Sequence, residues 1–140
     1  SVDFDAGYFN SGHVSGTYRG IARKMYLSIN GIHWREFDTA EHCPDHRRIT
    51  CVAAFKQVFF IVTESDESGP GHIFGYDIPR PTELYNVFTR PPCLTIEVKG
   101  KVEELRCRDV GLNILLSAKS WSGLRASITL YELDFGSLKH

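Results

Sequence analysis

The sequence predicts an all-β fold assembled from repeated antiparallel hairpin units. Three observations carry that expectation. Short apolar runs of strand length alternate with turn signals along the chain. Aromatic residues reach 12%, with nine Phe and six Tyr, a bias that suits pleated strands better than helices. No segment of ordinary helix length combines a 3.6-residue apolar stripe with caps. The 140 residues read as a single domain over 1–140, long enough to bury a core without staples.

Each element follows in order. Within Lys24–Phe37, the Asn30-Gly31 pair between two β-prone runs predicts a two-residue hairpin, because a type I′ turn needs positive φ at both central residues. That turn sets Ile29 opposite Ile32 and Leu27 opposite Trp34 on an apolar face. Ser28 then faces His33, and Tyr26 faces Arg35, on a polar one. Ile49 to Val62 holds two further strands. Val58-Phe59-Phe60-Ile61-Val62 is a continuous apolar run, as expected of a strand buried on both faces. Glu64 to Gly71 reads as an exposed loop, and Ile73 to Ile78 as the return strand. Prolines at 79, 81, 91 and 92 bracket a connector that is no central strand, with Thr82–Thr89 as a short helical turn. Leu94–Val98 alternates with period two. A strand through Leu105 and Cys107 precedes a turn at Asp109-Val110-Gly111, and Asn113–Ala118 is the next strand. Ser120-Trp121-Ser122-Gly123 reads as a loop before a last strand at Ser127–Phe135. The apolar phase of that strand changes between Ile128/Leu130 and Leu133/Phe135, which predicts a bulge near Tyr131.

Three of these segments superpose. Ile32-His33-Trp34-Arg35-Glu36-Phe37, Ile73-Phe74-Gly75-Tyr76-Asp77-Ile78 and Ile128-Thr129-Leu130-Tyr131-Glu132-Leu133 each place Ile first, an acid fifth and a large apolar residue sixth. Cys51 precedes Val58 by the same interval as Cys107 precedes Ile114. Recurrence at roughly 40–55 residues marks repeated supersecondary units. The order Val102–Cys107, Ile114–Ala118, Ile128–Leu133 resembles a blade of a WD-repeat-type β-propeller. Tyr76-Asp77 and Tyr131-Glu132 stand where the Trp-Asp pair of such a blade would be. Ile49–Ile78 is similar with a longer hairpin loop, and residues 13–38 resemble the last half of a blade. The likeness covers about half the chain. It implies an incomplete propeller-like sheet array, because propellers typically need four to eight blades to close. A fragment, an oligomer or a partner's strands would then complete the ring. The competing closed solution is a β-trefoil-like barrel of three similar units, and a β-sandwich is the third.

The chemistry-bearing residues are sparse. The formal net charge of −1 gives no electrostatic footprint for nucleic acid or an anionic membrane. No apolar run reaches the roughly 18 residues a membrane helix needs. The chain starts at Ser1, has no signal-peptide shape and reads as a processed chain or a cut piece. It carries no Asn-x-Ser/Thr acceptor. Cys43, Cys51, Cys93 and Cys107 contain no Cys-x-x-Cys pair, which argues against a structural zinc site. Four reduced thiols packed as small hydrophobes fit an intracellular protein, and two bridges in a secreted one are the alternative. His42-Cys43-Pro44-Asp45-His46 is the densest set of ligand-type residues. A polar turn explains it better than a metal site, since Arg47 and Arg48 repel a cation. Arg35, His46, Arg47 and Arg48 form a candidate basic patch for phosphate or an acidic peptide. Trp121, at the tip of its expected loop, is a candidate anchor for a protein or a sugar face. Cys107 between Arg106 and Arg108 has a charge environment that activates thiols, but its place in a strand favours a structural role. No nucleophile elbow, P-loop or His-Glu-x-x-His occurs. These residues point to a non-catalytic binding module without cofactors, engaging a protein partner or itself within a larger assembly. A carbohydrate- or receptor-binding trefoil is the alternative.

Overall fold

The apolar run after Phe55 organises the molecule. In the computed structural model, which describes residues 4–10, 15–21, 24–27, 32–33, 35–38, 44–47, 49–55, 58–78, 80–122 and 124–134, it forms a six-residue strand with every side chain buried. Phe59 and Ile61 enter one apolar cluster, while Val58, Phe60 and Val62 enter another. Period-two alternation thus feeds two cores from one strand.

The described strands form three open antiparallel sheets. The first contains β1 (Phe4–Asn10), β2 (Ser15–Ile21), β3 (Lys24–Leu27) and β4 (Arg35–Asp38). The second contains β5 (Ile49–Phe55), β6 (Val58–Thr63), β7 (Gly71–Asp77) and β8 (Leu94–Val98). The third contains β9 (Val102–Val110), β10 (Asn113–Ser122) and β11 (Arg125–Asp134). In every sheet the spatial order follows the chain order, so each is a meander. The opening strands are neighbours, β5 lying beside both β1 and β9.

This is the all-β architecture of hairpin units expected from the sequence. The closed three-fold barrel is not what forms. Among the described residues each strand pairs only within its own meander, so no sheet returns to close on itself. The second sheet is covered on both faces. Leu27 packs with Phe59, Ile61, Phe74 and Tyr76 on one side. On that side a 3₁₀ helix, Pro81–Thr89, adds Val87 and Phe88. It occupies the proline-bracketed connector where a helical turn was expected. On the other side Val62, Ile73 and Val98 meet Leu105, Ile114 and Leu116 of the third sheet.

Three local expectations differ from the structure. β3 and β4 pair Leu27 with Arg35 and Tyr26 with Glu36, one residue away from the register of a two-residue Asn-Gly turn. The connector holds an odd number of residues, and one residue of slip changes every partner. Asn30, Gly31 and Trp34 themselves lie outside the described residues, as do Ser1 and Phe135. Second, β10 continues through Ser120 and Trp121 to Ser122 instead of ending in a loop. Trp121 pairs with Ala126 there. Third, β10 and β11 pair without interruption from Asn113↔Asp134 to Ser122↔Arg125, so no bulge interrupts Tyr131. The change of apolar phase has another cause. Tyr131 and Leu133 pack on the core while Ile128 and Leu130 stand on the solvent side.

Two glycines are required by geometry. Gly111 opens the two-residue turn between β9 and β10 with φ of 66°, as the first central position of such turns demands. Gly71 starts β7 so close to β6 that a Cβ would lie 2.2 Å from the Thr63 carbonyl oxygen.

Candidate functional site

The segment that leads into β5 forms a polar lock. One carboxylate oxygen of Asp45 accepts the Arg47 backbone amide at 3.0 Å, closing an Asx-type turn. The other accepts the Thr63 hydroxyl at 2.6 Å and faces His72 Nδ1 at 2.8 Å. The same hydroxyl accepts the His72 amide at 2.9 Å. Thr63 is fully buried, so its hydroxyl needs both partners. Three elements are joined this way: the turn before β5, the end of β6 and the start of β7. The His72 ring also stacks on Phe74 with centroids 5.2 Å apart. The chemistry this permits is limited. The Thr63 hydroxyl is fully buried and engaged by Asp45 and the His72 amide, so it is closed off from solvent.

Arg47 serves the acidic loop. Its guanidinium pairs with Asp66 and donates to the Ser68 hydroxyl at 2.9 Å. Asp66 also accepts the Ser68 amide and hydroxyl at 2.8 and 2.6 Å. These bonds, from Ser68 first and Arg47 second, hold the Asp66 carboxyl well below the usual range. Ser65 ties the same loop to the β8–β9 turn through Gly100, with bonds of 3.1 and 2.7 Å.

The candidate basic residues are dispersed among different roles. Arg35 is exposed on β4, and His46 is exposed with φ of 56°, an uncommon backbone for a residue with a Cβ. Arg47 is largely covered by its own partners, and Arg48 lies outside the described residues, with His42 and Cys43. Among the described residues no group of three metal-ligating side chains occurs.

Cys51 and Cys107 line the core between the second and third sheets, with the Cys51 thiol 3.8 Å from the Val102 carbonyl oxygen. Burial pushes both thiols up to about 12, the reverse of an activated cysteine. The flanking Arg106 and Arg108 side chains sit on the opposite face of β9 and do not offset it. Cys93, at the start of β8, is raised by burial and then by the Asp77 charge. All three are free thiols.

Among the described residues, an exposed apolar group lies on the outer face of the third sheet. Ile128 is 65% exposed, Leu130 60% and Trp121 50%. Cross-strand pairing sets Ile128 beside Lys119, Leu130 beside Ser117 and Trp121 beside Ala126. Glu104 and Arg106 of β9 continue the same face. Glu104, Arg106, Ser117, Lys119, Ile128 and Leu130 together line a shallow open groove. The Lys119 ammonium lies 5.6 Å from the Trp121 ring centre, a cation–π distance. Trp121 is thus presented by a strand face and not by the loop tip its Ser and Gly neighbours predict. Ile128 and Leu130 carry no sequence signal of exposure, because apolar residues in a strand ordinarily face the core.

No protein-family model, curated protein or solved structure matches the chain.

Proposed function

We propose that the chain is a non-catalytic protein-interaction module whose propeller-like sheets work within a larger assembly. The outer face of its third sheet is the contact surface. One observation carries this reading: Ile128 and Leu130 are exposed on a regular strand whose other face, through Tyr131 and Leu133, packs on the core. Apolar side chains that meet no partner in the isolated chain are suited to burial against one. Glu104, Arg106 and Lys119 give them a polar surround, the composition of an interface rim. Trp121 supplies an aromatic of the type that dominates binding energy.

Carbohydrate binding is the second reading, and the half-exposed Trp121 favours it. Lys119 already lies over that ring, which competes with a sugar for the same face. A protein partner is therefore preferred. The test is capture by the full chain followed by reconstitution with the purified partner. Leu130→Glu should abolish binding while the thermal melt stays unchanged. Equal binding by wild type and Leu130→Glu would remove this surface from the proposal. Specific glycan-array binding lost in Trp121→Ala would replace it with the carbohydrate reading.

A further inference from the structure

We infer that two copies of this chain associate through β11, pairing antiparallel edge to edge about a two-fold axis at Thr129. The inference rests on the interaction-module reading and assigns a second copy to the edge of the strand that carries that surface.

The argument starts from how the three sheets end. β11 is the outermost strand of the third sheet, and among the described residues no strand pairs on its far side. An edge strand presents a row of backbone donors and acceptors able to template another chain. Proteins blunt such edges with short strands, charges, prolines or bulges. The last strands of the other two sheets are blunted, and their first strands, β1 and β5, lie beside one another. β4 has four residues, Arg35-Glu36-Phe37-Asp38, three of them charged. β8 has five, contains Glu97, follows Pro91-Pro92 and is succeeded by Lys99. β11 has ten residues, and its central stretch Ala126-Ser127-Ile128-Thr129-Leu130-Tyr131 contains no charge, proline or glycine. Its ladder to β10 is unbroken, so the edge is long and regular.

The edge is also self-complementary. In an antiparallel pair of identical strands the two-fold axis stands normal to the sheet, so the same faces of both copies point the same way. Even-numbered residues then meet even-numbered ones. With Thr129 on the axis, Ile128 of each copy lies opposite Leu130 of the other, and four exposed aliphatic side chains form one cluster. On the opposite face Thr129 meets Thr129, a favourable cross-strand pair, and Ser127 meets Tyr131. No like charges fall directly across. Centring the axis on Leu130 would instead oppose Ile128 to Glu132. The result is a continuous six-stranded sheet, β9-β10-β11 joined to its copy, within the ordinary size of sheets.

The experiment is sedimentation velocity on the full chain over a wide dilution series, with wild type, Leu130→Glu and Thr129→Cys compared. The Thr129→Cys chain also carries Cys43→Ser and Cys93→Ser and is oxidised before non-reducing electrophoresis. Wild type should shift from one copy to two with concentration, and Leu130→Glu should remain a single copy with an unchanged circular dichroism spectrum. Thr129→Cys should cross-link to a covalent dimer, whereas Leu130→Cys in the same background, facing Ile128, should not. A wild-type chain that stays monomeric throughout overturns the inference. So does a dimer that survives Leu130→Glu and gives no Thr129→Cys cross-link. A monomer whose Leu130 still governs partner capture overturns self-pairing alone and leaves the interaction reading standing. Loss of both ends both.

Discussion

β7 and β11 share one sequence pattern in two different settings. Each is the third strand of its meander, and each runs Ile-x-x-Tyr-acid-aliphatic, from Ile73 and from Ile128 respectively. Ile73 is fully buried and Ile128 is largely exposed. The difference lies in the neighbours. β7 has β8 at its side and a core on each face. β11 has β10 on one side, a core on one face and solvent elsewhere. Strand pattern therefore sets pairing, while burial is conferred by the rest of the stack.

The sharpest way to break that comparison is to truncate both isoleucines. Ile73→Ala should cost about 2–5 kcal/mol, because it opens a cavity between two covered sheets. Equal losses at Ile73 and Ile128, measured by urea denaturation, would show that the two settings are energetically alike. Next in size is the lock that anchors the start of β7. Thr63→Val keeps the shape but leaves the His72 amide and the Asp45 carboxylate each short of a partner, at a cost of about 1–3 kcal/mol. Denaturation midpoints of Thr63→Val and Thr63→Ser should separate clearly, Ser retaining most of the stability.

The one core that the third sheet does possess is probed by alkali. The unfolded chain releases the Cys51 and Cys107 protons near 9.0, whereas the folded chain holds them to about 12. Across that window the unfolded state binds fewer protons, so stability falls as pH rises, by about 1.4 kcal/mol per pH unit for each thiol. Below pH 9 the contribution is flat. Denaturation series at rising pH should show this slope and a shallower one in Cys107→Ala. The smallest effect belongs to the open face: Ile128→Ala should change monomer stability by less than about 0.5 kcal/mol.

Much of this fold can be read from particular residues. The run Val58–Val62 announced a strand buried on both sides, and Leu94–Val98 kept its alternation. Prolines at 79, 81, 91 and 92 correctly excluded a central strand and left room for the 3₁₀ helix. The third sheet was harder because period-two reasoning assigns every apolar residue to the core. Ile128 and Leu130 point outward on a regular strand, so the same rule produced a bulge that does not exist. Trp121 sits among Ser and Gly, the composition of a loop, yet the β10–β11 ladder extends past it. The turn at Asp45 is legible as a polar turn, but its link to Thr63 and His72 leaves no local trace. Asp45, Thr63 and His72 come from a turn, a strand end and a strand start, and only their meeting in space gives the carboxylate its partners.

The meander order of the sheets has a kinetic consequence. Among the described residues every strand pair joins chain neighbours, so each sheet can zip from its own turns before the sheets meet. Closing short loops first keeps the entropic barrier low. What remains is a docking step between preformed sheets, in which β6 buries its two faces against different neighbours. The final hairpin, β10 with β11, needs no distant segment to complete its ten-pair ladder. It is thus suited to form among the earliest structures of the chain, with the edge of β11 open from that moment on.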